Sequence, residues 1–441
     1  MAMPQDLQAI ERRTIAKVSW RLLPLVAVAY CIAYIDRSNI SFAALTMNKD
    51  LGFTATVYAL GATAFFWGYC LFEVPSNIIL EKVGARMWIA RIMITWGLFS
   101  GATAFITGAT SFAGVRFLLG VCEAGFFPGM ILYFTYWFPA RCRGQVVGWF
   151  MTAIPVAIFL GGPISTTLLA QLDGLLGLAG WRWLFLCEAA PAVILGFVVL
   201  FYLTDRPAKA HWLEPREREW LIAELAAERS AVEQIRVYTV LQSLLNLRVL
   251  ALAVIYLGIG TASLGLVLFL PLMIKQLGLS NLMTGFAAAI PYVVGTIGMV
   301  ICGYITDRMQ ERRWNLFFTC LAAAVGLLAA ALLSGSFWAL AGLSVATIGF
   351  YGMKTSFWPL PSNFLSGTAA AAAIAAINSL GNLGGLIGPN LVGWLKDSTG
   401  SFEAGLYAMA GCALISAIVT LIAVRAPHRR VEPTGSGVAA A

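Results

Sequence analysis

Twelve long apolar runs are the feature of this sequence that most limits what it can fold into. Each is near or above the roughly 20 residues that an α-helix needs to cross the hydrocarbon core of a bilayer. Charged residues make up only 11% of the 441 residues, whereas soluble domains carry about 25%. We therefore predict an all-α membrane protein with 12 transmembrane helices in two groups of six, at 22–46, 54–80, 87–107, 111–138, 145–170 and 182–204, then 249–275, 282–305, 314–334, 337–361, 369–395 and 403–424.

The distribution of lysine and arginine predicts the orientation of these helices. Of the 29 basic residues, 22 fall in the termini and in alternate loops, four in the intervening loops and three inside the apolar runs. Because cytosolic loops carry the excess of positive charge, we predict that both termini are cytoplasmic. The chain then divides into a cytosolic N-terminal segment, a six-helix bundle, a cytosolic linker with an amphipathic helix, a second six-helix bundle and a disordered cytosolic tail, at 1–21, 22–204, 205–248, 249–425 and 426–441.

Seven ionisable residues lie inside the apolar runs: Asp36, Arg37, Glu73, Arg116, Glu123, Glu188 and Lys354. Each would cost about 3 kcal/mol at the bilayer centre if it faced lipid, so we expect these residues to face the protein interior or a water-filled cavity. Arg116 and Glu123 are seven residues apart, about two helical turns, which places them on one helix face. Lys354 shares a face with Trp358 and either provides a second positive site for a dicarboxylate or extends toward the membrane surface.

A ten-residue segment recurs in the two halves of the chain. NIILEKVGAR runs from 77 to 86 and GYITDRMQER from 303 to 312, with acidic and basic residues at the same offsets. The pair resembles the loop motif of the major facilitator superfamily, although Asn77, Ala85 and Gln310 depart from it. The resemblance implies that the two copies form a cytosolic gate, with equivalent roles for the residues Glu81, Lys82, Arg86, Asp307, Arg308 and Arg312. A plain positively charged turn is the alternative interpretation.

Further segments resemble one branch of that superfamily, the anion:cation symporter family, and cover essentially the whole chain. They are YIDRSNIS from 34, GYCLFEVPSN from 68, RFLLGVCEAGFFPG from 116, FWPLP from 357 and INSLGNLGG from 377. The similarity is to bacterial tartrate, aromatic-acid and sugar-acid permeases. Thr355 and Phe357 stand where we would expect hydroxylic residues in a sugar-acid carrier, which argues against a polyhydroxylated substrate.

The resemblance also implies roles for individual residues. Asp36 and Glu123 match the carboxylates that take up protons, and Arg37 matches the arginine that links proton state to substrate. Arg116 matches the arginine that holds the carboxylate of its own helix or orders the cavity. The predicted substrate-binding set is Tyr34, Arg37, Tyr69, Arg116, Lys354, Trp358 and Asn378. Static ion pairs that hold helices together are the alternative for the charged members.

These observations predict a proton-coupled symporter that imports a small organic anion, a carboxylate such as tartrate or a related hydroxy or dicarboxylic acid, by alternating access. Aromatic carboxylates and sugar acids are alternative substrates; a drug/proton antiporter and a non-transporting anion receptor are alternative functions. We expect a monomer in the bacterial inner membrane, with protons as the coupling ion, no other cofactor, no metal and no nucleic-acid partner. Neither a nucleophile with its base nor a Walker-type phosphate loop occurs, so we expect neither an enzyme nor ATP-driven transport.

Overall fold

The computed structural model describes residues 5–232, 246–308, 312–358, 360–361 and 367–424, and the regular structure of these residues is helical. The first half comprises α1 Gln5–Asp50, α2 Ala55–Val83, α3 Ala85–Ala102, α4 Ala109–Glu123, α5 Phe126–Thr135, α6 Ala140–Met151, α7 Ala153–Gln171 and α8 Gly180–Tyr202. Helix α9, Pro215–Val232, lies in the predicted linker. The second half comprises α10 Leu247–Lys275, α11 Asn281–Arg308, α12 Arg312–Leu332, α13 Trp338–Phe357, α14 Gly367–Asn382, α15 Gly384–Thr399 and α16 Glu403–Ala423.

Each of the twelve apolar runs coincides with a helix or with two consecutive helices. The fourth run is divided into α4 and α5, the fifth into α6 and α7, and the eleventh into α14 and α15. Nine stretches of the described residues are long and apolar enough to cross a membrane. Three predicted spans are not among these nine. They correspond to α3, which contains two arginines, to α13, and to α14 and α15 together, which are 16 residues long each. The protein is therefore a multi-pass membrane protein.

The N-terminal segment and the linker helix pack against each other at one end of the first bundle. Helix α1 already begins at Gln5, and its Lys17 Nζ lies 2.8 Å from the carboxylate of Glu217 on α9. Burial raises the pKa of Glu217, but the hydrogen bonds from Lys17 and the Glu214 amide and the positive charges of Lys17 and Arg13 together outweigh it, so the pKa lies below its usual range. Arg141 on α6 adds contacts to Glu11 and Glu224. We call this end of the molecule the basic end; the predicted tail, 426–441, lies outside the described residues.

At the opposite end, which we call the far end, the two halves are joined directly. The amides of Ala55 and Thr56, in the first turn of α2, donate to the carboxylate of Asp397 on α15 at 3.0 and 2.7 Å. A carboxylate is favourable there because the first amides of a helix lack intrahelical acceptors. Deeper in the same crossing, Asn390 Nδ2 donates to Thr63 Oγ1 at 3.1 Å. The far end is closed in this structure.

Glycines allow the two halves to approach each other this closely. A Cβ on Gly162 of α7 would lie 2.7 Å from the carbonyl oxygen of Gly285 on α11. A Cβ on Gly393 of α15 would lie 2.7 Å from the carbonyl oxygen of Ala55. Such distances are well inside van der Waals contact, so a larger residue at either position has to push the halves apart.

We therefore expect Gly162→Val to hold the far end open. In a protein whose eight native cysteines have been removed, a reporter cysteine at Leu268, which is buried at this end, should react faster with a membrane-impermeant maleimide added from that side. Gly148→Val is the matched control, because a Cβ at Gly148 would meet nothing within 4 Å. Equal labelling rates in the two variants would contradict the closure described above.

Candidate functional site

The centre of the first half contains an ion pair between two neighbouring helices. Arg37 Nε of α1 donates to Glu123 Oε1 of α4 at 2.5 Å. The Glu123 side chain is 2% exposed, whereas 29% of the Arg37 side chain is exposed. A buried carboxylate is strongly unfavourable without a cation, so Arg37 is what allows Glu123 to be charged here. The accessible part of the Arg37 side chain leaves room for a second ligand.

The local chain structure places Glu123 at a break in its helix. Helix α4 ends at Glu123, and Gly125 adopts a left-handed conformation with φ of 88° before α5 begins at Phe126. A Cβ at Gly125 would lie 2.4 Å from Ser76 Oγ on α2. Glycine is therefore required at 125 by backbone conformation and by space. Because the helix is interrupted there, the sequence after Glu123 does not continue the face that carries Arg116.

Aromatic rings surround the Arg37 guanidinium. The ring centroids of Tyr34, Tyr69 and Phe65 lie 5.6, 5.3 and 5.8 Å from its central carbon. Helix α2 reaches this position because it packs on α4 without intervening side chains: a Cβ at Gly120 would lie 2.0 Å from the Phe65 carbonyl oxygen. The ring faces favour a cation at this position.

Asp36 and its sequence neighbour Arg37 have different binding partners. Its carboxylate, in a residue that is 2% exposed, accepts hydrogen bonds from Ser100 Oγ of α3 and from Asn39 Nδ2, the latter at 3.1 Å. No described lysine, arginine or histidine lies within 4 Å of Asp36. The two predicted proton-coupling residues therefore have different surroundings, a cation for Glu123 and neutral donors for Asp36.

Arg116 does not hold the carboxylate of its own helix. It is 5% exposed, its guanidinium lies 5.1 Å from the Phe65 ring, and its Nε has no hydrogen-bond partner among the described residues. Seven residues of helix amount to about 10 Å along the axis, which is too far for a direct contact with Glu123. The carboxylate is bound instead by Arg37, which belongs to the separate helix α1. Arg116 interacts electrostatically with both Asp36 and Glu123.

The predicted residues of the second half form a separate aromatic group. Trp358 packs edge-on against Tyr256 with ring centroids 5.0 Å apart. The Lys354 ammonium is exposed and lies 5.3 Å from the Tyr351 ring centroid, and Asn378 on α14 is partly exposed. In the first half, Tyr34 lies beside Arg37 and packs edge-on against Tyr30.

Several residues of this region were not predicted from the sequence. They are Asn39 and Ser100, which bind Asp36, and the aromatic residues Phe65, Tyr256 and Tyr351. Polar residues inside apolar runs are a usable signal, and both Asn39 and Ser100 give it. The aromatic residues give none, because phenylalanine and tyrosine are common throughout these helices.

The predicted gate residues lie at the basic end. Glu81 and Lys82 are exposed at the end of α2, and Gly84 has a φ of 102°, which accounts for glycine in that copy of the motif. The backbone amide of Arg86 donates to Asp205 Oδ1 at 2.9 Å. In the second copy, Arg308 stacks on Tyr304 at 4.2 Å and Arg312 is partly exposed; the side chain of Asp307 lies outside the described set.

Comparison with known proteins identifies the family. The sequence model of the Major Facilitator Superfamily matches residues 26–389. The chain belongs to this superfamily. Within it, the chain is 52% identical over 423 residues to an Agrobacterium vitis protein named "Putative tartrate transporter", covering 96% of this chain and 94% of that protein. It is 42% identical to a protein of Acinetobacter baumannii named "Quinolone resistance transporter", covering 96% of this chain and 98% of that protein.

Solved structures of the superfamily share the fold. The crystal structure of a D-xylose-proton symporter superposes with a TM-score of 0.72 at 16% identity and covers 91% of this chain and 97% of that one. The predicted fold, 12 transmembrane helices in two six-helix halves, is therefore confirmed. Among the described residues, no group of three or more His, Cys, Asp or Glu side chains is arranged to hold a metal ion.

The ion pair between Arg37 and Glu123 predicts a specific pattern of stabilities. Arg37→Ala leaves a buried carboxylate without its cation, which typically costs about 3–5 kcal/mol. Arg37→Ala combined with Glu123→Gln removes that charge, so the double variant should be more stable than Arg37→Ala alone. Thermal unfolding of the purified protein in detergent, followed by tryptophan fluorescence, measures both.

The control is Arg12→Ala, an exposed arginine on the same helix, for which we expect a change within about 0.5 kcal/mol. An Arg37→Ala protein as stable as the control would show that the pair is not important for the fold.

Proposed function

We propose that this protein is a proton-coupled symporter that imports a small organic anion, a carboxylate such as tartrate or a related hydroxy or dicarboxylic acid, by alternating access. The observation that carries this proposal is the state of Arg37, which is bound by a buried carboxylate and yet is 29% exposed. A guanidinium presents paired donors that match a carboxylate. Glu123 occupies part of that capacity, and a substrate carboxylate is the natural second ligand.

Protonation of Glu123 provides the coupling in this proposal. A neutral Glu123 no longer needs the guanidinium, so Arg37 can turn all its donors toward the anion. By linkage, a proton that favours anion binding must itself be favoured by the bound anion to the same extent. Proton and substrate therefore move together in the same direction.

Asp36 is the second proton-binding residue in the proposal. Its hydrogen-bond partners, Ser100 and Asn39, are neutral. A hydroxyl or amide can accept a hydrogen bond from a protonated carboxyl as readily as it can donate one to a carboxylate, so Asp36 can change its protonation state without breaking an ion pair. Two protonatable carboxyls allow two protons per cycle.

A dicarboxylate is supported by a second cation and by the relatives. Lys354, an exposed residue of α13, provides a second positive charge in the second half. Trp358, Asn378, Tyr69 and Arg116 complete the proposed binding set. The name of the Agrobacterium vitis relative supports tartrate as the substrate.

The proposed arrangement in the cell follows the positive-inside prediction. The basic end faces the cytosol of a bacterium, the far end faces outward, and the protein acts as a monomer in the inner membrane. In this structure the far end is closed. In the opposite conformation, in which the far end is open, we propose that the Glu81–Arg86 and Asp307–Arg312 segments close the cytosolic end.

A second candidate function is a drug/proton antiporter, and the name of the Acinetobacter baumannii relative favours it. Aromatic carboxylates and sugar acids are alternative substrates for a symporter. Direction separates the functions: an inward proton gradient drives uptake by a symporter and opposes uptake by an antiporter. A receptor would bind the anion without moving it.

We expect labelled tartrate to accumulate in proteoliposomes when the external solution is acidified, because protons entering down their gradient carry the anion with them. Asp36→Asn and Glu123→Gln should lose accumulation but retain exchange of internal for external tartrate, since exchange needs no net proton movement. Arg37→Ala should lose binding, measured as the loss of tartrate-induced thermal stabilisation.

Unlabelled phthalate, hydroxybenzoate and sugar acids, added as competitors, rank the alternative substrates in the same assay. Full accumulation by Asp36→Asn or Glu123→Gln would remove that residue from the coupling mechanism. Uptake inhibited by an inward proton gradient would favour the antiporter, and binding without flux would favour the receptor.

A further inference from the structure

Glu188 is a buried carboxyl that the proposed transport cycle does not use. It lies on α8, is 6% exposed, and its Oε1 accepts a hydrogen bond from Ser165 Oγ of α7 at 2.6 Å. Its second oxygen, Oε2, is buried and has no hydrogen-bond partner among the described residues. A carboxylate in such a site leaves lone pairs unsatisfied, whereas a carboxyl that holds a proton there gains a donor.

The helices that pack around Glu188 provide no cation to balance a negative charge. Helix α7 contains no ionisable side chain between Ala153 and Gln171. Helix α1 contributes the acidic Asp36, and its neighbour Arg37 is bound to Glu123. On α3 the arginines, 86 and 91, are near the beginning of the helix, far from Ser100 near its end. Arg182, on α8 itself, donates to the Ala104 carbonyl oxygen at 2.6 Å. Glu188 forms no ion pair within 4 Å in the described chain, so burial favours its neutral form.

Asn39 stands between the Asp36 carboxylate and the helix that carries Glu188. Its Nδ2 donates to Asp36 Oδ1 at 3.1 Å, and α1 packs against α8. Its Oδ1, like Glu188 Oε2, is buried without a described hydrogen-bond partner. An amide offers a donor on one side and an acceptor on the other. A charged Asp36 uses the donor, and a protonated Glu188 supplies the hydrogen that the free amide oxygen lacks.

We propose that Glu188 is a proton-binding site that is coupled to Asp36 through the Asn39 amide, so that the two carboxyls together hold one proton in this conformation. If Glu188 loses its proton, the amide turns its donor to Glu188 and its oxygen to Asp36, and Asp36 then holds the proton instead. The two sites therefore titrate as a pair. The role of this pair in transport rests on the proton coupling proposed above. The presence of a proton on Glu188 does not depend on that proposal.

The position of Glu188 indicates which side of the membrane supplies its proton. It is eight residues from the start of α8 at the far end, about 12 Å along the helix, whereas Asp36 is 14 residues, about 21 Å, from the far end of α1. A proton that enters from the far end meets Glu188 first. In the proposed orientation that end is external, where the proton gradient is applied.

Infrared difference spectroscopy tests the proton directly. Spectra of the purified protein between neutral and strongly alkaline pH should contain the C=O band of a protonated carboxylic acid, and Glu188→Gln should remove it. Glu73→Gln, on α2, is the matched control and should retain the band. Asn39→Leu keeps both carboxyls, and should shift the band because the carboxyl loses its acceptor. A band that persists in Glu188→Gln, or that is unchanged in Asn39→Leu, would overturn the proposal.

Transport tests the coupling to Asp36. The dependence of tartrate uptake on external pH should be less steep in Glu188→Gln than in wild type, and Asn39→Leu should reproduce that change with no further loss in the double variant. Equal steepness in wild type and Glu188→Gln would overturn the coupling. A wild-type protein without stimulation by a pH gradient would instead overturn proton symport, and the infrared result would still decide whether Glu188 holds a proton.

Discussion

The contact on which this structure depends is the ion pair between Arg37 and Glu123. It places opposite charges from α1 and α4 2.5 Å apart inside a membrane protein, where the buried Glu123 carboxylate would be strongly unfavourable without a cation. The local structure is arranged around it: Gly120 lets α2 and α4 touch, and Gly125 ends α4 directly after the carboxylate. The pair is also asymmetric in exposure, so a solute can reach the arginine but not the glutamate.

The charged residues of the first half fall into two networks. Arg37 and Glu123 form one, with the rings of Tyr34 and Tyr69 beside the cation. Asp36 belongs to the other, in which it accepts hydrogen bonds from neutral groups on α1 and α3. Neighbours in sequence thus serve different networks, and a rotation of α1 changes both at once. In the proposed transport cycle, one helix can therefore relate anion binding at Arg37 to protonation of Asp36 while α2 and α15 close the far end.

Burial explains which parts of this architecture could be predicted from the sequence. A spanning helix must satisfy its backbone internally and present apolar side chains to lipid, so the twelve runs were predictable. The interruption after Glu123 was not, because it depends on the close approach of Gly125 to Ser76 on another helix. Charges in apolar runs identified Asp36, Arg37, Arg116 and Glu123, but the spacing placed Arg116 and Glu123 on one helix face, and the family resemblance offered Arg116 as the residue that holds Glu123 or orders the cavity. The observed partner comes from another helix, and a contact between helices has no signature in a local pattern.

The most direct test of this account is to measure protons taken up when tartrate binds to the purified protein in weakly buffered solution. If the anion competes with Glu123 for Arg37, the displaced carboxylate takes up a proton, so binding should make the solution more alkaline and should weaken as the pH rises. Glu123→Gln should bind tartrate with little proton uptake. Binding without proton uptake in the wild type, or with the same uptake in Glu123→Gln, would contradict the account.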